Sequence, residues 1–282
     1  MFSCTSLCKL NLFLYITGKR KNGYHNLQTL FVLLNYGDRM NFEITREDKV
    51  ELLTDFGFPV SENLIYKAAV LLKEHCHIKE GVRISIDKIL PQGGGLGGGS
   101  GNAGTTLVVL NTLWRCGLTE KTLIELAAGL GADVPIFIKG TTCFGEGIGE
   151  ILKPVSYKNC WYLVCTPKNC KVPTKLLFQH PLLKKDSPVR TYEELLETPF
   201  ENCFEKVVRK EFKEVDCLLK RLNQFGKAYM SGSGSSCFVA FDSEKQALLA
   251  YEEIKAENIP CFIAPSVNKL PFIDDLANLA GE

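Results

Sequence analysis

Six glycines fall within the ten positions 91–100, Pro91-Gln92-Gly93-Gly94-Gly95-Leu96-Gly97-Gly98-Gly99-Ser100. Each glycine costs backbone entropy on folding, so a stretch this dense needs a reason. A flexible linker would supply one, but both ends of this stretch are fixed. Upstream, Val82-Arg83-Ile84-Ser85-Ile86-Asp87 alternates as a half-buried strand does. Downstream, Ala103, Leu107, Leu110 and Trp114 recur at helical spacing and predict a helix with one apolar face. A strand, a glycine loop and a helix in that order bring main-chain N–H groups and the positive end of a helix to one point. That arrangement is an anion site suited to phosphates.

The spacing separates several kinds of phosphate loop. Gly93, Gly95 and Gly98 satisfy G-x-G-x-x-G by count, but that motif alone is weak. Its dinucleotide version also wants a parallel βαβ unit and an acid about 20 residues on, at a strand end. Glu120 falls instead at the head of the next predicted helix. The P-loop needs Gly-Lys-Ser or Gly-Lys-Thr, and a protein kinase needs His-Arg-Asp; neither occurs.

Around this loop the chain reads as mixed strands and helices. Strands are predicted at residues 10–16, 27–34, 41–44, 50–53 and 82–87, and a helix at 64–72 with Ser61 as N-cap. Thr119 caps a further helix that Gly131 ends, and Ile136-Phe137-Ile138 reads as a strand. The pattern restarts near Pro154, with strands at 161–164, 229–230, 238–241 and 261–264 and helices at 191–196, 215–222 and 243–255. The reading is therefore an α+β chain of two domains, 1–153 and 154–282.

Composition bounds the partners. The formal net charge is +1, whereas a chain built on many nucleic-acid phosphate contacts carries a strong positive excess, so no nucleic-acid partner is expected. No run approaches the ~18 apolar residues of a membrane span, so no membrane association is expected either. The opening run 10–16 contains Asn11 and is too short and polar for a signal-peptide core, so the expected location is the cytoplasm. The chain has 12 cysteines. None forms a C-x-x-C pair, and Cys160, Cys165 and Cys170 lack metal-ligand spacing, so buried free thiols are expected and no metal ligands are assigned. His75-Cys76-His77 follows a helical run and reads as solvated helix-end residues. Oligomeric state has no signal in the sequence.

The residues then carry a resemblance. Pro91, Gly95-Leu96-Gly97-Gly98-Gly99-Ser100-Gly101-Asn102-Ala103 resembles the phosphate-binding motif of the GHMP kinases. Met230-Ser231-Gly232-Ser233-Gly234-Ser235-Ser236 is similar to their C-terminal glycine-rich motif, and Lys9-Leu10-Asn11-Leu12 to their first. Within that superfamily, Gly18-Lys19-Arg20, Gly23-Tyr24-His25-Asn26-Leu27 with Thr29, Gly131-Ala132-Asp133-Val134-Pro135 and Gly145-Glu146-Gly147-Ile148-Gly149-Glu150 resemble the 4-diphosphocytidyl-2-C-methyl-D-erythritol kinase family. The resemblance runs from about Lys9 to Val267. A departure is Gly101, where many members carry Ser or Ala; little effect is expected from it.

The resemblance implies the two-domain GHMP fold, an N-terminal ribosomal-S5-like domain and a C-terminal ferredoxin-like α/β domain. It implies ATP-dependent phosphorylation of a cytidine-diphosphate-linked sugar alcohol at its 2-hydroxyl, in the non-mevalonate isoprenoid pathway. ATP is the expected cofactor, handled as its Mg2+ complex. The implied ATP-binding residues are Asn63, Lys88, Pro91, Gly93, Gly94, Gly95, Leu96, Gly97, Gly98, Gly99, Ser100 and Gly101. The implied substrate-binding residues are Asn11, Tyr24, His25, Thr174, Phe178, Gly232, Ser233 and Gly234, with Tyr24 and Phe178 on the two faces of the cytosine.

Two further residues carry the chemistry. By position alone Asp133 reads equally as a turn carboxylate or a presented acid, and the resemblance favours the catalytic role. Lys9 lies in an apolar strand, where an unpaired ammonium is costly. Pairing Lys9 with Asp133 resolves that cost, and the pair would hold a carboxylate ready for the acceptor and stabilise a forming alkoxide.

Overall fold

The computed structural model describes residues 1–280. Two long antiparallel strands open it, β1 (Phe2–Lys19) and β2 (His25–Thr45). Their ladder runs from Phe2↔Phe42 to Lys19↔His25, with register shifts between Leu7 and Cys8, Asn11 and Leu14, and Ile16 and Gly18. The predicted strands 10–16, 27–34 and 41–44 are thus parts of two continuous strands. Residues 2–5, Phe-Ser-Cys-Thr, do alternate between buried and more exposed positions; their small polar members conceal it. β3 (Val50–Leu52) runs parallel to β4 (Gly81–Asp87), which is antiparallel to β2.

Helix α1 (Leu64–His75) departs from the reading in its cap. Residues Val60–Glu62 form a short 3-10 turn, and Asn63 replaces Ser61 as N-cap, its Oδ1 accepting the Ile65 N–H at 2.9 Å. His75 and His77 stand exposed at the other end of α1. Helix α2 (Gly98–Leu113) has more than one apolar face, for every residue from Gly101 to Leu110 is buried. It is the central helix, packed against α1 and β1. Helix α3 (Glu120–Leu130) starts at the predicted Thr119 cap, which accepts the Thr122 N–H. The predicted strand 136–138 is instead helix α4 (Val134–Lys139), with Pro135 in its first turn and Gly140 at φ 67° as its left-handed stop. It packs on α2 and α3, and burial of Val134–Ile138 explains why its apolar run looked like a strand.

β5 (Cys143–Glu146) and β6 (Ile151–Pro154) form a hairpin, and β5 also pairs with β2. The second half supplies β7 (Trp161–Cys165), α5 (Thr174–Gln179), α6 (Tyr192–Leu196), α7 (Glu205–Glu211) and α8 (Lys213–Leu222). It continues with β8 (Ala228–Met230), β9 (Cys237–Phe241), α9 (Glu244–Ala256), β10 (Cys261–Val267) and α10 (Ile273–Ala280). The sequence reading lacked α5, α7 and α10.

Among the described residues the main sheet path is β3-β4-β2-β10-β7-β9-β8. β10 joins the two halves, pairing with β7 along its length and touching β2 at Ser266↔Leu34 and Val267↔Leu33. One core lies among α1–α4 and the first strands, and Leu270, Phe272 and Leu276 return from the chain's end to join it. A second holds α7, α8 and α9 against β7–β9. A third, around Phe13, Leu96, Tyr162 and Phe238, fills the space between the halves. The architecture is α+β, and the glycine loop lies beside this middle core.

Candidate active site

The glycine loop spans the gap between β4 and α2. Gly97 begins α2 at φ 70° with no side-chain cap. The first bond back to the cap is Gly101 N–H to Gly97 O, 2.7 Å, which leaves the amides of Gly98, Gly99 and Ser100 for a ligand. A Cβ on Gly97 would sit 2.9 Å from Phe137 and 3.1 Å from the Lys9 side chain. Gly101 matters more than the sequence suggested: a Cβ there would lie 2.6 Å from the Leu7 carbonyl. This glycine is required by the close approach of β1 to α2.

Both halves hold the loop in place. Lys9 N–H donates to Leu96 O at 2.9 Å, Ser236 N–H to Gly94 O at 3.0 Å, and Ser231 Oγ to Gly95 O at 2.9 Å. Behind it lies a polar knot that sequence reasoning missed. Asp38 is fully buried. Its carboxylate accepts the N–H groups of Ile89 and Leu90, both at 2.9 Å, and Asn102 Nδ2 at 3.0 Å. It also pairs with the Lys88 ammonium, which donates to Asn102 Oδ1 at 3.1 Å. Lys88 therefore braces the loop from behind, its Nζ 3.6 Å from the Cβ position of Gly98. Asn63, grouped with it by the sequence, is occupied as the α1 cap. Flanked by Gly37 and Arg39, Asp38 looks in the sequence like a turn carboxylate, which concealed its burial.

At the floor of the cleft, Lys9 is 2% exposed. Its ammonium has three donors and three acceptors: Asp133 Oδ2 at 3.2 Å, Asn11 Oδ1 at 2.5 Å and Gly95 O at 3.1 Å. Asn11 is fixed in turn, its Nδ2 donating to Thr29 Oγ1 at 2.8 Å, while Thr29 donates to Phe13 O at 2.6 Å. Asp133 sits at the head of α4, but its side chain makes no capping bond. Its carboxylate is 37% exposed toward the cleft, so one face meets Lys9 and the other is open. The predicted pair thus exists, placed by β1 on one side and by α4 on the other.

The glycine–serine loop between β8 and β9 closes the opposite wall. A Cβ on Gly232 would stand 3.2 Å from Asn11 Oδ1 and 3.4 Å from Lys9 Nζ. Ser233 Oγ and Thr174 Oγ1 are 2.7 Å apart, and Gly234 bends at φ 83° against Met230. Asn202, with no signal in the sequence, clamps this loop: its Nδ2 donates to Met230 O at 2.8 Å and Gly232 O at 2.7 Å.

Farther out, Tyr24 is 59% exposed while His25 lies flat on Phe178, ring centroids 4.9 Å apart at 20°. Phe178 meets Phe204 edge-on at 5.1 Å. His25 Nε2 is buried with no hydrogen-bond partner. Burial, then Lys185 and Lys19, hold this imidazole below the ordinary histidine range, so its neutral form is favoured. One cleft of about 790 Å³ runs from Ser100 and Gly95 past Lys9 and Asp133 to Tyr24, His25 and Phe178.

A phosphate-type loop, a buried Lys–Asp pair and a second glycine-rich loop thus converge on one cleft. Residues 63–141 match the family model for the GHMP kinases N terminal domain, and residues 182–260 that for the GHMP kinases C terminal. The chain belongs to the GHMP kinases, and is an ATP-dependent kinase that phosphorylates an alcohol. Within them it is similar to the crystal structure of a 4-(cytidine 5'-diphospho)-2C-methyl-D-erythritol kinase, with 31% identity and a TM-score of 0.83 over 94% of this chain and 99% of that one. More distant solved structures share the fold. The mevalonate kinase of Methanococcus jannaschii has 15% identity and a TM-score of 0.64, covering 95% of this chain and 98% of that chain. The homoserine kinase of Cytophaga hutchinsonii has 15% identity and a TM-score of 0.62, covering 95% of each.

Proposed function

We propose that this kinase transfers the γ-phosphoryl group of ATP to the 2-hydroxyl of 4-diphosphocytidyl-2-C-methyl-D-erythritol, in the non-mevalonate route to isoprenoid precursors. The observation that carries this reading is the continuity of the cleft. It links a phosphate loop, the Lys9–Asp133 pair and an aromatic site with an unpartnered imidazole nitrogen.

Phosphoryl transfer needs positioning and charge stabilisation more than covalent chemistry by the protein. The free amides at the head of α2 bind the triphosphate. Asp133 accepts a hydrogen bond from the acceptor hydroxyl, orienting its oxygen toward the γ-phosphorus and taking the proton as the bond forms. Lys9, held by Asn11 and Gly95, stabilises the charge developing between acceptor and phosphate. Magnesium enters with ATP as part of the substrate. Ser100 Oγ at the head of α2 is a hard donor that would suit it, and among the described residues no group of three His, Cys, Asp or Glu is gathered for a metal.

At the outer end, the cytosine displaces His25 from Phe178 and stacks there, with Tyr24 folding over its other face. His25 then satisfies its orphan nitrogen on the ring edge. Stacking alone accepts any flat base; the choice of cytosine over uracil needs that polar match. Among the described residues no helix is long and apolar enough to cross a membrane; we assign the activity to the cytoplasm, where its nucleotide substrates are.

Steady-state kinetics with cytidine and uridine forms of the acceptor test this assignment. The wild type should strongly prefer the cytidine compound. Phe178→Ala should raise its KM by about 5–100-fold, the equivalent of ~1–3 kcal/mol of stacking, with kcat less affected. Equal use of both acceptors by the wild type would remove the pyrimidine site from the proposal.

A further inference from the structure

Antiparallel pairing puts Cys261 of β10 directly opposite Cys165 of β7, and Cys237 of β9 opposite Cys165 on its other side. Three thiols stand in one row across adjacent strands. The backbone bond from Thr166 N–H to Pro260 O, 2.9 Å, fixes the character of the first pair. Hydrogen-bonded and non-hydrogen-bonded pairs alternate along such a ladder. The next pair inward, Cys165 with Cys261, is therefore the non-hydrogen-bonded kind, with Cα atoms about 4.5 Å apart and the two side chains on one face. A disulfide spans Cα separations of about 4.4–6.8 Å.

The two thiols differ in environment. Cys165 is fully buried and Cys261 only partly. The Cys165 thiol, as donor, holds the Cys261 sulfur below the usual cysteine range against the opposing effect of burial, and Lys255 adds to the lowering. A partly exposed sulfur directly across the ladder from a buried second thiol is the arrangement of a reactive cysteine with its resolving partner.

We propose that Cys261 and Cys165 form a peroxide-responsive dithiol that closes to a cross-strand disulfide. The Cys261 thiolate attacks one oxygen of a hydroperoxide and the O–O bond breaks. The other oxygen leaves with a proton as water or alcohol, and Cys261 is left as a sulfenic acid. The Cys165 sulfur then attacks the Cys261 sulfur; the S–O bond breaks, and the hydroxide leaves as water with the Cys165 proton. Two thiols are oxidised and one peroxide is reduced. The bridge would close one residue from Thr166, whose Oγ1 is 2.7 Å from Ser236 Oγ, and Ser236 N–H holds Gly94 of the phosphate loop.

The test treats the full-length protein with hydrogen peroxide, alkylates remaining thiols with N-ethylmaleimide, and maps unreduced peptides by mass spectrometry. The expected result is a peptide pair joined through Cys165 and Cys261 that dithiothreitol separates. The link should vanish in Cys261→Ser and persist in Cys237→Ser. Wild-type protein with no such link, or with Cys165 joined to Cys237 instead, overturns the proposal. Both of those outcomes are read on the wild type, whether or not a variant folds.

Discussion

In the proposed mechanism Asp133 is the residue on which the chemistry turns. Asp133→Asn keeps the shape of the α4 head and removes its charge, while Lys9 retains Asn11 and Gly95 as acceptors. We predict a fall in kcat on the order of 10² or more, the range of general-base contributions, with ATP affinity within a few-fold of the wild type by calorimetry. Near-normal turnover would remove Asp133 from the mechanism. His25 gives a second prediction with a definite sign. Its folded-state pKa lies below the ordinary histidine value, so the folded protein takes up this proton at a lower pH than the unfolded chain does. Any stability linked to the neutral ring is intact above the ordinary value and is lost as pH falls toward the folded one. Proton NMR titration of the chain's four histidines should find one resonance, lost in His25→Ala, titrating below the ordinary histidine value. A His25 titration at or above the usual value would contradict the burial argument. Lys9 was legible in the sequence because an ammonium in an apolar strand demands a partner, whereas Asp133 stood out as that partner only through the family resemblance. Asn202 was not, because an asparagine far along the chain carries no sign that its amide will clamp another loop.

Among the elements, α2 and β1 are locked by proximity. The Leu7 carbonyl oxygen lies 2.6 Å from where a Cβ at position 101 would be, so Gly101→Ala should force the strand and helix apart. We predict a destabilisation of about 1–3 kcal/mol, the usual range of overpacking, read as a lower Tm by circular dichroism. An unchanged Tm would mean that the strand gives way freely. The same local geometry explains what the sequence concealed. The loop, β4 and α3 were readable from glycine density, alternation and a threonine cap. Helix α4 was misread because its Ile136-Phe137-Ile138 run is buried, and burial erases the amphipathic period that marks a surface helix. Its Pro135 and Gly140 did carry the correct punctuation. The length of β1 and β2 was hidden for a different reason. The register shifts that let these long strands bend also break simple alternation.

At the scale of the molecule, the site exists only because the halves meet. β1 contributes Lys9 and Asn11, α4 contributes Asp133, and the β8–β9 loop reaches across to Gly95. We propose a domain boundary after Lys153. The chain's end crosses back over it, since Leu270, Phe272 and Leu276 pack in the first core. That return was invisible in the sequence because it joins residues far apart along the chain, as in the contact of Phe272 with Phe2. The central claim is transfer from ATP to one hydroxyl of a cytidine-diphosphate-linked alcohol, and phosphorus NMR of the reaction mixture tests it most directly. With ATP, magnesium and a panel of acceptors, the prediction is one new phosphomonoester resonance, on the cytidine-diphosphate-linked methylerythritol alone, growing in step with ADP. Transfer to mevalonate or homoserine in its place, or ATP consumption that yields only inorganic phosphate, would contradict the account.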